Sequence, residues 1–319
     1  MRLGLFLELH QIDRSLGHAK FPNLKNFDSC IVVLFCYMET AEIHGFDELP
    51  MMKNSTFLPE GRQQLAALVR GAGDVIAIDD AVRILETDRS LAAKTLARWT
   101  KQGWLRRVSH GHYVPVSLDS LTSEHVLDDP WVLVPALFAP AYVGGRSAAV
   151  HWDLTEQLFN DIVVLTTRAI RAKTEIRHGA VFTLKHIKPG KLFGTKTIWR
   201  GHSKVQVSDV HRTVIDMLDD PMIGGGIQQV SDCFAEYLRR SDRDDDALIE
   251  YATKLGNGAV FKRLGFLSEA QPNAERLSAT CLSHLTKGNA KLDPALDCSR
   301  LVSRWNLWVP DFWIARARP

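Results

Sequence analysis

A chain of 319 residues with 45% hydrophobic and 24% charged side chains carries enough apolar material for about two domains. Its formal net charge of +2 leaves no general polyanion affinity, so any nucleic-acid contact must come from local clustering. Five cysteines without a Cys-x-x-Cys pair argue against a disulfide framework or a zinc site, and no run approaches the ~20 apolar residues of a membrane helix, which fits a reducing cytoplasm.

The first fifty residues mix short apolar bursts, "LGLFL" and "IVVLFCYM", with Pro, Asn and Gly and hold no sustained period. Residues 1–56 are therefore expected to be a poorly structured N-terminal extension, with Met51 and Met52 as alternative starts.

From Leu58 the pattern becomes regular. "PEGRQQLAALVRGAG" places Leu65, Leu68 and Val69 at helical spacing between Pro59 and the glycines at 71 and 73. "DVIAI" (74–78) reads as a short extended piece and 79–88 as a second helix with Ala81, Val82 and Leu85 inward. A third helix spans 89–103, with Asp88 or Ser90 as N-cap and Gly103 as its stop. Two short strands, 104–108 and 113–116, flank the turn Ser109-His110-Gly111-His112. Helix, short strand, helix, helix, hairpin is the order of a winged helix-turn-helix, expected over 57–118.

A polar, acidic linker follows over 119–130, then a larger C-terminal domain over 131–319. A helix or loop is expected at "WVLVPALF", and a helix from Ser147. Strand candidates lie at 161–167, 180–187 and 196–201, with a capped helix over 208–221 and a mostly helical last hundred residues. The fold class is therefore α+β: an N-terminal winged helix-turn-helix and a mixed α+β C-terminal domain.

Between Arg89 and His112 stand six basic residues and no acid. On a helix, Ala92, Leu96 and Trp99 share the core side, leaving Arg89, Ser90, Lys94, Arg98 and Lys101 outward. Such a helix fits a major groove, while Arg106, Arg107, His110 and His112 on the hairpin can straddle the backbone. The bland alternative is a solvated helix face. The agreement of helix order, glycine stop, hairpin and charge segregation favours double-stranded DNA. Four to six phosphate contacts would give a log–log salt slope of roughly −4 to −5.

From Arg168 to Lys204 there are ten Lys or Arg residues and one acid, Glu175. Arg168, Arg171, Lys173, Arg177, Lys185 and Lys188 form a candidate second basic patch, either a polyanion contact or a surface that balances acidic helices.

Catalytic motifs are missing. There is no G-x-x-x-x-G-K-[ST] loop, H-E-x-x-H pair or G-x-S-x-G elbow. "IGGGIQQV" resembles an anion-holding helix start, and "VHWDLTEQ" brings His151, Asp153 and Glu156 close in sequence. Asp161 opens a strand, but no E-x-K or D-x-K follows for a nuclease. No cofactor, metal ligand set or catalytic residue is assigned.

Residues 58–310 resemble the AbiE-type antitoxins (AbiEi family), the regulatory half of two-gene bacterial toxin–antitoxin and phage-defence modules. "LARWTKQGWLRRVSHGHYVPV" is similar to their winged helix. "SAAVHWDLTEQ", "VVLTT", "KLFGTKTIW", "VQVSDVHRTVIDMLDDP", "GGGIQQV", "YATKLGNGAVFKRLGFL" and "RWNLWVP" follow in the family's order. The resemblance implies a cytoplasmic DNA-binding antitoxin of a type IV system that represses its own operon. It would counter a nucleotidyltransferase-like toxin without requiring a stable complex, with DNA contacts at the residues named above. Relatives often carry Arg or Lys where His110 and His112 stand, so DNA affinity at the wing is expected to respond to mild acid. The alternatives are a nucleic-acid-processing enzyme, such as a nuclease, targeted by its winged helix, and a stand-alone transcriptional repressor. No membrane association is expected.

Overall fold

Leu65, Leu68 and Val69 recur at helical spacing, and they lie on α1 (Glu60–Ala72) in a computed structural model that describes residues 58–116 and 129–316. The expected extension over 1–56, most of the 119–130 linker, and Cys30 and Cys36 lie outside the described residues. The described residues form an α+β structure.

After α1 come β1 (Ile76–Ala77), α2 (Ile78–Leu85), α3 (Arg89–Lys101), β2 (Leu105–Ser109) and β3 (His112–Pro115). The extended piece read over 74–78 shrinks to two residues, because Ile78 already opens α2. β1 and β2 both pair antiparallel with β3, giving the sheet order β1-β3-β2.

Local chemistry sets both ends of α3. The Asp88 carboxylate accepts from the Ser90 and Leu91 amides at 2.8 and 3.0 Å, so Asp88, not Ser90, is the cap. At the other end the Gly103 amide reaches Thr100 O and the Trp104 amide reaches Trp99 O, a paired closure that needs a left-handed residue. Gly103 supplies it at φ 77°. Ala92, Leu96 and Trp99, spaced four and three apart, are fully buried against Leu68, Ile76, Ala81, Leu105 and Tyr113. Each large side chain in that core contributes about 1.5–3 kcal/mol.

A 3₁₀ turn (Pro130–Leu133) and α4 (Val134–Phe138) lead into β4 (Ala141–Val143) and α5 (Gly145–His151). Next come β5 (Asp161–Thr166), β6 (Thr174–Arg177), β7 (Ala180–His186), β8 (Thr195–Arg200) and β9 (Ser203–Ser208). They form one six-stranded sheet ordered β6-β7-β5-β4-β9-β8, parallel at β5–β7 and β4–β9 and antiparallel elsewhere. β5 is central and buried from Ile162 to Thr166, which explains its unbroken apolar run.

Sequence reading missed β4, β6 and β9. β4 is three residues long, and β6, "TEIR", is a mostly exposed edge strand without an apolar signature. The helix expected from Ser147 begins two residues earlier, at Gly145.

One face of the sheet packs Val143, Val164, Phe182 and Val207 against α4 and, from the hairpin, Val108 and Val114. The β2–β3 hairpin is thus built onto the sheet. The Asp74 carboxylate also accepts from the His202 amide at 2.7 Å in the β8–β9 turn.

α6 (Val210–Asp219), α7 (Ile227–Arg239), α8 (Asp245–Leu255), α9 (Gly258–Glu269) and α10 (Glu275–Ser283) build the largest core. A three-stranded sheet of β10 (Ala290–Lys291), β11 (Arg300–Val302) and β12 (Leu307–Val309) follows, then α11 (Asp311–Arg316). Strands of two or three residues carry no readable period, so the expected helical ending passes over this sheet. Its Trp305 ring lies against α9 at Gly265, where an added Cβ would sit 2.0 Å from the ring.

Candidate nucleic-acid interface

Because α3 buries Ala92, Leu96 and Trp99, the remaining positions face outward. Arg89, Ser90, Lys94, Arg98 and Lys101 are all exposed. Arg89 is held by an ion pair to Asp79 on α2, and the Ser90 amide is tied to Asp88. Lys94, Arg98 and Lys101 make no ion pair among the described residues. The free charge of the helix is therefore concentrated on its middle and last turns.

The hairpin divides its basic residues. Arg106 is half-buried, while Arg107 is exposed and folds over the turn. Arg107 Nε donates to Ser109 O at 3.1 Å, and Nη2 lies 2.9 Å from His110 Nδ1. A guanidinium only donates, so His110 Nδ1 is the acceptor in this contact. His110 is exposed, whereas His112 turns inward, its Nδ1 3.0 Å from Ser109 Oγ. An irregularity between Arg107 and Ser109 accommodates this arrangement.

The second basic stretch separates in space. Arg168, Arg171, Lys173 and Lys188 are exposed. Arg177 is exposed too, but its guanidinium holds Glu175 at 2.7 and 3.0 Å. Lys185 departs from the expected patch: it is half-buried, 2.6 Å from Asp219 and 3.3 Å from Asp220. Its period-two position on β7 aims it at the helices. Burial acts against the charged form of Asp219, but Lys185 beside it holds its carboxyl below the usual range. Arg200 is likewise engaged, 3.6 Å from Asp129 and over the Trp131 ring at 4.4 Å.

The two basic regions meet beside the hairpin turn. A cleft of about 460 Å³ is lined by His110 and His112 from the hairpin and by Arg168 and Arg177 from the sheet side. Arg171, Lys173 and Lys188 do not line it.

The catalytic candidates resolve into packing. His151 lies against the rings of Trp152 and Trp131 at 4.6 and 5.9 Å. Burial, then the nearby Arg200 charge, pushes its pKa below the usual histidine value. Asp153 and Glu156 are exposed, and no metal-holding group of His, Cys, Asp or Glu occurs among the described residues. Asp161 is gripped through both oxygens by Arg146 and accepts from Thr183. The start of α7 after the three glycines is filled from within, since the Ile227 amide donates to the buried Asp293 carboxylate at 3.0 Å. Burial pushes the thiols of Cys233 and Cys281 up to about 11 and about 12, so neither is a poised nucleophile.

Sequence reading expects a capped helix with a buried structural threonine over 208–213, but it does not foresee the buried cluster of Arg212, Asp216 and Tyr142 beneath α6. Asp209 caps the helix by accepting from the Arg212 amide at 2.7 Å, and Thr213 is buried against Ser208, as an N-cap with a structural threonine requires. Arg212 itself is fully buried. Its Nε donates to Asp216 at 2.8 Å, and Nη2 donates to Tyr142 Oη at 3.1 Å and to Lys191 O at 3.2 Å. The Phe193 ring lies 4.0 Å from the guanidinium. The spacing of four between Arg212 and Asp216 was the available signal. Burial, then the Asp216 charge, holds the Tyr142 hydroxyl well above its usual value, and its hydrogen bonds to Asp216 and Arg212 tie α6 to β4 of the sheet.

No family model matches the sequence, and no curated protein matches it either, so the functional argument rests on these residues.

Proposed function

We propose that residues 57–118 are a winged helix-turn-helix that binds double-stranded DNA, with α3 as recognition helix and the β2–β3 hairpin as wing. The observation that carries the reading is the clean division of α3. Ala92, Leu96 and Trp99 are buried, while Lys94, Arg98 and Lys101 are exposed without an acidic partner among the described residues. Cations left free in this way are available to phosphates and guanine edges.

On the serial order of its motifs, the chain is a DNA-binding antitoxin and autorepressor of a bacterial toxin–antitoxin operon. It acts in the cytoplasm and counters a nucleotidyltransferase-like toxin. It binds rather than catalyses; Asp161, the nuclease candidate, is already spent on Arg146. No helix among the described residues is long and apolar enough to cross a membrane. A stand-alone, ligand-responsive repressor is the second reading, favoured by the cleft that touches the hairpin.

Footprinting on the DNA upstream of the protein's own gene tests the assignment. The wild type protects a discrete site, and Arg98→Ala and Arg107→Ala weaken that protection. Full protection by both variants overturns the recognition-helix and wing roles. A nucleotidyltransferase gene next door selects the antitoxin reading over the stand-alone repressor, and metal-dependent cleavage of DNA or RNA by the purified protein selects the nuclease.

A further inference from the structure

The cleft between the hairpin and the six-stranded sheet has the size of a small-molecule site. Its volume of about 460 Å³ falls in the range of ligand pockets, roughly 300–1,000 Å³. We propose that it binds a small organic anion, a carboxylate or phosphate monoester on an apolar body, and that the hairpin senses its occupancy.

Charge sets the ligand's sign. Arg177 is largely neutralised by Glu175 within the cleft, whereas Arg168 has no carboxylate partner among the described residues. The cleft therefore presents about one uncompensated positive charge, carried by Arg168. That guanidinium is preset: Nη1 donates to Leu137 O, and the Arg168 amide donates to Thr166 Oγ1 at 3.0 Å. Fixing the donor beforehand lowers the ordering cost of binding.

The rest of the lining sets the ligand's body. Leu137, Ile170 and Leu184 supply apolar surface beside the arginine. A phosphodiester backbone has no use for such a floor, and the duplex is convex, so it meets protruding cations like Lys94 and Arg98 more readily than a concavity. An anion with an apolar or aromatic body satisfies both parts.

The opposite wall is the hairpin itself. Ser109, His110 and His112 line the cleft, and Ser109 Oγ reaches Ala136 O at 3.4 Å across its edge. A ligand seated on Arg168 contacts the same turn that Arg107 covers. Binding itself does not depend on DNA recognition; only an effect on operator affinity rests on that reading.

The test uses the full chain without DNA and four probes: 1-naphthoate, 1-naphthyl phosphate, the neutral naphthalene-1-carboxamide and inorganic phosphate. Calorimetry should show 1:1 binding of at least one naphthyl anion, with the carboxamide and inorganic phosphate at least tenfold weaker. Arg168→Gln should weaken the anion tenfold or more while keeping the thermal midpoint, and Ile170→Ser should weaken it less. The ring signals of His110 and His112 should shift on saturation. Absence of binding by both naphthyl anions at millimolar concentration, or equal affinity in Arg168→Gln, overturns the proposal. Displacement of the probe by duplex DNA of unrelated sequence, with DNA affinity itself lowered in Arg168→Gln, also overturns it and makes Arg168 a phosphate contact. Failure of operator footprinting leaves the calorimetric result standing, so the two readings fail separately.

Discussion

Residues 89–112 and residues 168–204 hold basic side chains at comparable density and almost no acids, yet the fold treats them differently. On α3, the acids of the neighbouring α2 reach only Arg89, and Lys94, Arg98 and Lys101 keep their charge outward. In the longer stretch, acids and carbonyls from distant parts of the chain close on several of the cations, while Arg171, Lys173 and Lys188 stay exposed. Lys185 meets Asp219 and Asp220, Arg200 meets Asp129, and Lys191 donates to Lys254 O. The difference teaches that a basic run in sequence measures potential. Whether the charge is free depends on which acids the fold delivers to it.

The sharpest break of that comparison is to remove the free set. Replacing Lys94, Arg98 and Lys101 together by alanine should lower DNA affinity by roughly 100-fold or more near physiological salt and flatten the log–log salt slope by about three. Stability should stay within about 0.5 kcal/mol, since the three side chains pack against nothing essential. Fluorescence anisotropy across a salt series, beside thermal denaturation, reads both. An equal slope change in an Arg171→Ala/Lys173→Ala pair would erase the distinction between the stretches.

The mirror experiment removes a consumed cation. Lys185→Ala leaves two carboxylates of α6 and its end without their partner and should cost roughly 1–3 kcal/mol of stability, with DNA affinity and salt slope unchanged. The sign also follows in acid. Asp219 has a folded pKa below its ordinary value, so its stabilising contribution is present above about pH 4 and is lost as pH falls through the folded pKa. In Lys185→Ala that acid-dependent part should shrink. Chemical denaturation at pH 7 and pH 3 gives the comparison.

A smaller effect is expected at the hairpin. Arg107 is exposed, whereas Arg106 is half-buried, so on the proposed reading the wing contact falls more to the former. Arg107→Ala should weaken DNA binding roughly five- to tenfold, about the worth of one phosphate contact with its positioning. It also frees His110 Nδ1 from its hydrogen-bond donor, which an imidazole NMR signal would report.

What was legible follows the same logic of local against distant. Both signals that end α3, the Asp88 carboxylate and the Gly103 closure, involve residues within a turn of the helix, and both are readable in the string. The alternation of Ala92, Leu96 and Trp99 is likewise local. β6 and the strands at 290–309 were illegible because their pairing partners, not their own apolar pattern, make them strands. Lys185 was misassigned for the same reason: Asp219 is thirty-four residues away in sequence and 2.6 Å away in space. The cleft at Arg168 needed four segments of chain to be brought together, so no window of sequence contained it.

His151 offers the finest test of how the second stretch spends its charge. Arg200 lies near it, Nη2 3.5 Å from Nδ1, while Trp131 and Trp152 remove water. Burial first and Arg200 second lower the histidine's pKa, and Asp153 opposes them. The folded state therefore favours the neutral ring. Its contribution is fully present above the ordinary value of 6.5 and is lost as pH falls through the lower folded pKa, because the unfolded chain then binds the extra proton. Between pH 7.5 and pH 5, His151→Asn should lose less stability than the wild type. Arg200→Gln should bring the His151 titration back toward 6.5 in an imidazole NMR titration. If Arg200→Gln leaves that titration in place, burial alone sets it, and Arg200 is held by Asp129 and Trp131 without acting on the histidine. If the titration moves, at least one cation of the 168–204 stretch is used electrostatically inside the fold, the opposite fate to Arg98 on α3.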